Sequence, residues 1–338
     1  MPDSQLTGLT AGTDYEFQVG DGSTWSETHF FRTSAAAQDT TAFVVMGDTQ
    51  MSGNREADAE SIAVLEKLGA LVKDKQVDFG LQTGDYVDNG TNYAMWAEMQ
   101  EAFNHTFPSV DFIHTLGNHE YYGDFSGTVA GNILQIPGKD YYSVEYGDVY
   151  VAVINNSADL SEACAWLQQD AAQSTCMWKI LSIHQPPYYT NAGGGSEKFH
   201  EQIPAAAEAA GIDVVFSGHD HSYSRIMAKD GEAVTENGVT YFTCGDLGEK
   251  SRNVNYKISS GFEYAYAEQD YEGLILYVTA NDQTMTVSAY DSKDGRLVDS
   301  ATLQSRCSKG HQLTTYQNGK SACAVCGKLI DVKDAQYT

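Results

Sequence analysis

Basic residues are scarce in this sequence: its 338 residues include 20 Lys and Arg against 46 Asp and Glu, which gives a formal net charge of −26. A surface of that sign repels phosphate backbones and anionic lipids. The charge balance therefore argues against binding of a nucleic acid duplex or of a membrane surface. A small anionic substrate is compatible with this charge balance only if it binds at a site of local positive charge.

Long apolar runs are missing as well. Runs such as residues 274–278 have the length of a strand, so no transmembrane segment is expected. Met1 is followed by polar residues, and no export signal is visible in the chain. Six cysteines are too few for a disulfide-dependent fold, and a Cys164–Cys176 bridge would have to span a predicted helix. With 42% hydrophobic residues, the sequence nevertheless predicts a folded chain with a sizeable core.

Residues 1–34 carry the pattern of two β-strands. An alternating strand begins at Tyr15, and residues 25–32 form the second. The pair resembles the last two strands of a fibronectin type III domain, and Leu9-x-x-Gly12-x-x-Tyr15 resembles its tyrosine corner. The resemblance implies that the chain begins inside that domain and that any export signal lies upstream. The alternative is an N-terminal hairpin on the main domain. Residues 34–41 are the predicted linker.

Residues 42–303 show alternating strands and helices, followed by β-rich sequence. Strands are predicted at residues 43–46, 77–81, 112–116, 150–154, 180–183 and 214–216, and helices at 56–74, 91–105, 161–172 and 200–210. This order is typical of an α/β domain.

Five polar blocks follow predicted strands, at the strand ends where open α/β sheets bind ligands. In order, the blocks are Gly47-Asp48-Thr49-Gln50, Gly84-Asp85-Tyr86-Val87-Asp88-Asn89, Gly117-Asn118-His119-Glu120, Ser182-Ile183-His184-Gln185 and Gly218-His219-Asp220-His221. Among the side chains that they offer are two carboxylates, an amide oxygen and three imidazoles that can act together as metal donors. Such a donor set suits a pair of divalent or trivalent cations better than a thiolate-rich structural zinc site.

These five blocks, in this order, resemble those of the calcineurin-like metallophosphoesterase superfamily. The nearest branch is similar to the purple acid phosphatases, which place a fibronectin-like domain before the catalytic domain. The resemblance implies a four-layer α-β-β-α sandwich with two metal ions at one sheet end. It also implies the ligands: Asp48 and His221 for one metal, Asn118, His184 and His219 for the other, and Asp85 as the bridge.

The expected activity is hydrolysis of small phosphate esters, above all phosphomonoesters. Two cations, drawn from Fe, Mn or Zn, would clamp the phosphoryl group and activate a bridging hydroxide as the nucleophile. His119 is the candidate to contact the phosphate and protonate the leaving oxygen, although a structural role is the alternative. A phosphodiesterase or nucleotidase would use the same site. A cell-surface binding protein built on an inactive scaffold is the alternative from a different class.

Two positions depart from the family pattern. Asp88 stands where purple acid phosphatases have the iron-binding tyrosine, and Tyr86 is expected to point the other way along an extended segment. We therefore expect no tyrosinate–iron colour. Gln50 stands where many superfamily members have a histidine. Three roles are open for its side chain: a metal ligand, a hydrogen-bond partner of a metal-bound water, or a cap of the turn.

Loops around the blocks are expected to set specificity. Tyr121-Tyr122, Pro186-Pro187-Tyr188-Tyr189 and Gly193-Gly194-Gly195 flank them. The aromatic rings would either hold a nucleoside or aryl leaving group or pack the loops together. Arg225 would either touch phosphate or pair with a surface acid.

The C-terminal residues 305–332 carry a second metal pattern. Cys307-x₃-His311 and Cys323-Ala324-Val325-Cys326-Gly327 predict a zinc-ribbon-like tail with one structural zinc ion. A disulfide within the tail is the alternative. The fibronectin-like start and the acidic composition favour a secreted or cell-surface bacterial protein.

Overall fold

The structure is a computed structural model that describes residues 6–26, 28–33, 40–138, 140–190, 196–247, 266–268, 270–317, 319–325, 327 and 329–331. The predicted linker falls mostly outside these residues, as do Gly193-Gly194-Gly195 and Cys326. No helix in the described ranges is both long enough and apolar enough to cross a membrane.

The helices are α1 (Ala59–Val72), α2 (Tyr93–Thr106), α3 (Thr128–Leu134), α4 (Leu160–Ala171) and α5 (Ser196–Ala210), with a 3₁₀ turn at His119–Tyr121. The strands, in chain order, are β1 (Asp14–Phe17), β2 (His29–Arg32), β3 (Thr41–Met46), β4 (Phe79–Gln82), β5 (Phe112–His114), β6 (Tyr141–Tyr146), β7 (Val149–Ile154), β8 (Trp178–Ile183), β9 (Val214–Ser217), β10 (Tyr223–Lys229), β11 (Glu232–Ala233), β12 (Val239–Cys244), β13 (Tyr266–Glu268), β14 (Leu274–Ala280), β15 (Thr284–Asp291), β16 (Leu297–Gln304), β17 (Leu313–Gln317), β18 (Lys320–Cys323) and β19 (Leu329–Asp331).

Two large sheets form the centre of the molecule. One has the order β16-β15-β14-β3-β4-β5. The other has the order β11-β10-β12-β9-β8-β7-β6, and β13 also pairs with β10. In the first sheet β3, β4 and β5 run parallel. In the second, β7, β8, β9 and β12 run parallel. Their carboxyl ends carry the five polar blocks, as the sequence predicts.

The alternation of side chains along β3 shows how the layers stack. Phe43 and Val45 lie in the core between the two sheets, where they meet residues of the second sheet such as Phe216. Val44 and Met46 point the other way, into a core shared with α1 and α2. A third core joins the outer face of the second sheet to α4 and α5. Since successive residues of a strand face opposite sides, one fully buried strand serves two cores. The predicted four-layer α-β-β-α arrangement is confirmed.

The helices bury apolar residues at helical spacing. In α1, Val64, Leu65, Leu68 and Val72 are buried, which is the stripe that one face of an amphipathic helix presents to a sheet. The sequence predicts this helix from residue 56, but it begins at Ala59. Helix α4 begins where the Asp159 side chain accepts hydrogen bonds from the backbone of Ser161 and Glu162, an N-cap typical of aspartate.

The Cys164–Cys176 bridge, which would have to span the helix, does not form. Cys164 lies inside α4 and its sulfur faces the carbonyl of Gln202 at 4.0 Å. Cys176 lies beyond the helix, with its sulfur 4.0 Å from the carbonyl of Gly147. Both remain thiols, because the two sulfurs face different elements.

The two ends of the chain form small sheets of their own. β1 pairs antiparallel with β2, and the backbone N–H of Thr10 donates to the Tyr15 hydroxyl at 2.8 Å, the contact expected of a tyrosine corner. Two strands alone do not define a fibronectin domain, so that assignment stays a prediction. β17, β18 and β19 form the three-stranded tail. The division into residues 1–34, 42–303 and 305–332 also stays a prediction.

Candidate metal centre

Sharp turns after neighbouring parallel strands bring the predicted ligands together. Asp48 follows β3 and Asp85 follows β4. Among the described residues, eight that are not glycine have a positive φ, and five of them lie in these turns. The five are Asp48 (54°), Gln50 (41°), Asp85 (56°), His219 (69°) and His221 (50°). The left-handed region is costly for such residues, and its concentration here is typical of a functional site.

Gly84 makes the approach of two turns possible. Its φ is +107°, and a Cβ placed there would lie 2.7 Å from both the Gly117 backbone nitrogen and Nδ1 of His184. No side chain fits in that space, so glycine is required before Asp85.

Asp85 belongs to two groups of candidate ligands at once. In the first, one donor atom from each of Asp85, His184 and His219 lies within 4.8 Å of the others. In the second, Asp48, Asp85 and His221 meet the same criterion. Asp48, Asp85, His184 and His221 are buried. Two adjacent clusters that share one carboxylate are the arrangement that a pair of metal ions requires.

Asn118 and His184 lie in contact beside the shared carboxylate. Nδ1 of His184 lies 2.9 Å from the carbonyl oxygen of Thr83, which can only accept, so Nε2 faces the site. That Nε2 atom is 3.2 Å from Oδ1 of Asn118 and 3.2 Å from Oδ2 of Asp85. His219 Nδ1 lies 3.2 Å from the same nitrogen. The Asn118 amide oxygen therefore points at the first cluster.

Asp48 and His221 form the other side of the site. The backbone N–H of His219 donates to both carboxylate oxygens of Asp48, at 3.0 and 2.9 Å. Nε2 of His221 lies 3.3 Å from Oδ1 of Asp48. The turn that carries both histidines is thus anchored to the carboxylate that follows β3.

The electrostatics of the site favour cations. Asp48 and Asp85 are fully buried, and in the described part of the chain their ion-pair partners are histidines rather than Lys or Arg. Burial opposes ionisation of Asp85, but His184 outweighs it and holds the pKa of Asp85 well below its usual range. Burial likewise opposes protonation of His184, but Asp85 raises the pKa of the imidazole to about 9. Buried carboxylates of this kind, with imidazole and amide donors beside them, fit metal ions.

His119 and Gln50 lie at the edge of the cluster. The His119 ring is 22% exposed, with Nδ1 3.0 Å from the Asp88 carbonyl and Nε2 3.8 Å from Oδ2 of Asp85. Nε2 of Gln50 contacts Nε2 of His119 at 2.9 Å and Oδ2 of Asp85 at 3.4 Å. The Gln50 side chain therefore lies in the site itself and contacts the two neighbouring candidates.

Glu120 is a site residue that sequence reasoning missed. Its fully buried carboxylate accepts hydrogen bonds from the backbone N–H groups of Asp85, Tyr86 and Gly117, each at 2.8 Å. Burial and the Asp85 charge raise the pKa of Glu120 to about 8. The side chain joins the turns after β4 and β5 and so positions Asp85 beside Asn118. The sequence did contain one signal for this role, since Glu120 is the last residue of the Gly-Asn-His-Glu block.

Tyr86 points away from the metal cluster, as its position in the sequence predicts. Its hydroxyl contacts Nδ1 of His114, and its ring packs against Trp96 and Phe103 in the core. A tyrosine held there does not reach the ligands of either cluster.

The iron-loaded protein should therefore lack a tyrosinate-to-iron charge-transfer band in its visible spectrum. Tyr86→Phe should leave that spectrum unchanged while lowering the free energy of unfolding by about 1–2 kcal/mol, because it removes a buried hydrogen bond. Tyr122→Phe is the matched control, since the Tyr122 hydroxyl does lie at the site, 3.0 Å from the Asn118 amide nitrogen. A band that disappears in Tyr86→Phe would contradict the observed orientation.

Some aromatic residues of the flanking loops pack in the core, and others are exposed. Tyr188 is buried and packs against Tyr241 and His200. Tyr122, by contrast, is 45% exposed, and its ring centroid lies 4.6 Å from that of His119. Arg225 pairs with Asp299 through two hydrogen bonds of 2.7 and 3.1 Å. Of the two roles open to Arg225, pairing with an acid is the observed one.

Fold and site together define a binuclear-type metallohydrolase scaffold. Residues 41–223, more than half of the chain, match the family model described as calcineurin-like phosphoesterase. The chain therefore belongs to that family, and the donor clusters around Asp85 lie within the matched region.

Known proteins similar to this chain include purple acid phosphatases. Purple acid phosphatase 22 of Arabidopsis thaliana is 31% identical over 118 residues, which are 32% of this chain and 27% of that protein. Purple acid phosphatase 15 of the same plant is 23% identical over 304 residues, 73% of this chain and 53% of that protein. This chain thus spans between about a quarter and about half of their lengths. The structure of a purple acid phosphatase from yellow lupin seeds shares the fold, with a TM-score of 0.69, 18% identity, and coverage of 88% of this chain and 61% of that one.

Proposed function

We propose that the protein is a hydrolase of small phosphate esters that depends on two metal ions, and that it prefers phosphomonoesters. The observation that carries this proposal is the pair of buried donor clusters that share Asp85. Family membership and the similarity to purple acid phosphatases support the same reaction class.

In this proposal Asp48 and His221 would hold one ion, and Asn118, His184 and His219 would hold the other. Asp85, which lies in both clusters, would be their shared ligand. When bound, such a pair of ions supplies an activated water as nucleophile and neutralises charge on the phosphoryl group. The protein's own contribution is to hold the ligands rigidly in place. The Thr83 carbonyl orients His184, and the His219 backbone N–H orients Asp48.

His119 is the proposed general acid. Its Nδ1 is occupied by the Asp88 carbonyl, so Nε2, which the Gln50 amide contacts, is the nitrogen that would pass a proton to the leaving oxygen. Tyr122 contacts the His119 ring from the exposed side. An aromatic leaving group could stack there, which supports small aryl or nucleoside esters as substrates.

We also propose that the protein is located outside the cytoplasm. The fibronectin-like start of the chain and the net charge of −26 support a secreted or cell-surface bacterial protein. The same charge argues against duplex nucleic acid as substrate.

A paired assay tests the reaction class. The purified full chain, loaded with Mn, Zn or Fe, is offered an aryl phosphomonoester and an aryl phosphodiester. We expect hydrolysis of the monoester to exceed that of the diester with at least one metal. His219→Ala should lower kcat/KM by more than about 100-fold. Loss of a residue that only orients a metal ligand already lowers metal affinity or activity by about 10–100-fold. His105→Ala, a histidine 75% exposed on α2, is the matched control and should retain activity.

The outcomes separate the alternatives. Preference for the diester would identify a phosphodiesterase with the same site. Activity on neither ester under every metal would overturn the enzyme proposal in favour of a binding protein. Full activity of His219→Ala would overturn the assignment of the ligands.

A further inference from the structure

The C-terminal tail contains a compact Cys/His cluster far from the catalytic turns. Cys307 follows β16, and Cys323 ends β18. Both are only 2% exposed, and with His311 they offer three donor atoms within 4.8 Å of one another. These residues come together only because the three-stranded tail folds back on itself.

The distance between the two sulfur atoms distinguishes a disulfide bond from a zinc site. Sγ of Cys307 and Sγ of Cys323 lie 3.7 Å apart. A disulfide bond would require about 2.05 Å. Two thiolates on one tetrahedral zinc ion, each with a Zn–S bond of about 2.3 Å, lie about 3.8 Å apart. The observed separation therefore matches the edge of a zinc tetrahedron.

The turn after Cys323 has the hydrogen bonds of a metal-binding knuckle. The backbone N–H of Val325 donates to Sγ of Cys323 at 3.4 Å, and that of Gly327 donates to the Cys323 carbonyl at 2.9 Å. Gly327 has a φ of +72°, which closes the turn. An N–H directed at the sulfur stabilises the thiolate form that a metal ion requires.

A similar turn follows Cys307 on the opposite side. The backbone N–H of Gly310 donates to the Cys307 carbonyl at 2.8 Å, and the φ of Gly310 is +106°. His311 comes directly after this turn. The three described donors leave one position of a tetrahedron, for which the Cys-x-x-Cys spacing nominates Cys326, outside the described residues.

The cluster also lies against the catalytic part of the chain. Cys307 and Cys323 belong to the core between the two large sheets, together with Met177 and Leu303. Beside them, Nη2 of Arg306 donates to the Met177 carbonyl at 2.7 Å, and its Nε lies 3.5 Å from Oδ1 of Asp213. Met177 and Asp213 directly precede β8 and β9. The tail therefore meets these strands at the ends opposite to His184 and His219.

We propose that Cys307, His311 and Cys323 bind a structural Zn²⁺ ion that fastens the C-terminal tail to the amino-terminal ends of β8 and β9. Sulfur and imidazole donors select zinc over the harder cations. Sites of cysteine and histidine donors are typical of structural zinc. The cluster lies at the strand ends opposite to His184 and His219, so its ion is separate from the proposed catalytic pair. Its binding closes one end of the core between the sheets.

Cobalt substitution of the full chain tests this site. Co²⁺ bound to cysteine gives thiolate-to-cobalt charge-transfer bands, whereas the oxygen and nitrogen ligands around Asp85 cannot produce them. We expect these bands in the wild type. They should be lost in Cys307→Ser and Cys323→Ser, and each of these variants should contain one zinc ion fewer per chain. Cys164→Ser, a half-buried thiol in α4, is the matched control and should keep both.

A measurement on the wild type keeps the proposal testable if a variant fails to fold. Thiols of the tail should resist alkylation in the native protein and become reactive after zinc is removed by a chelator. Absence of the thiolate–cobalt bands, their persistence in Cys307→Ser, or a disulfide within the tail found by mass spectrometry of unreduced protein would each overturn the proposal.

Discussion

Asp85→Asn should lower kcat/KM for an aryl phosphomonoester by about a thousandfold or more, which corresponds to about 4 kcal/mol of lost transition-state stabilisation. The substitution keeps the size of the side chain and removes its charge. Asp85 is shared by both donor clusters, and Oδ2 lies 3.2 Å from Nε2 of His184. An amide nitrogen in that place cannot bind a cation. We therefore expect loss of metal as well as of activity, measured by metal analysis and steady-state kinetics on the same sample.

Asp230→Asn is the control for that variant. Asp230 lies in the exposed turn between β10 and β11, at the far end of the strand that follows His221, and also has a positive φ. Asparagine adopts this conformation readily, so activity and metal content should be unchanged. If Asp85→Asn kept both metal ions and its activity, the shared carboxylate would not be the bridge.

Glu120→Ala should lower the free energy of unfolding by about 3–5 kcal/mol, because it leaves three buried backbone N–H groups without their acceptor. The donors belong to Asp85, Tyr86 and Gly117, in the turns after β4 and β5. Without the carboxylate these turns lose the contact that holds them together. Urea unfolding followed by circular dichroism measures the change in stability, and metal analysis measures the accompanying loss of affinity.

Glu101→Ala provides the comparison for Glu120→Ala. Glu101 lies on α2, is 64% exposed at its side chain and pairs with Arg55 on the surface. Exposed pairs of this kind contribute about 1 kcal/mol or less. Glu120→Gln keeps one acceptor oxygen and should fall between the two. Equal stability of Glu120→Ala and Glu101→Ala would show that the buried carboxylate does not support the site.

The acidic composition and a phosphate substrate are physically compatible in this fold. Of 46 acidic residues, Asp48 and Asp85 lie buried in the ligand clusters. Two cations held there would carry more charge than these two carboxylates. They would create a local region of positive electrostatic potential in a negatively charged surface. A small phosphate ester can reach such a region, whereas a long polyanion would also meet the surrounding negative charge.

The parts of the site that could be predicted from the sequence are those encoded locally. A polar residue directly after a short apolar run marks the end of a buried strand, and this pattern placed Asp48, Asp85 and His184 correctly at strand ends. Strands such as β6 and β10 were not predicted. β10 reads Tyr-Ser-Arg-Ile-Met-Ala-Lys, in which polar and apolar residues do not alternate regularly.

Other features of the site depended on contacts between distant segments. Arg225 could be read as a phosphate contact until its partner, Asp299, was located 74 residues further along the chain. Tyr188 could be read as a wall of the substrate site, but it is buried against Tyr241. Neither contact has a local signal, because each is set by the packing of one element against another.

The sequence by itself determined the donor types, their order along the chain and their positions after strands, since these follow from local patterning. Only the tertiary structure decided that Asp85 lies in both clusters and that Glu120 joins two turns. It also decided that the tail rests on the far end of the core from His184. The physical reason is separation along the chain. Asp48 and His219 are 171 residues apart, and their contact exists only after two sheets have packed together.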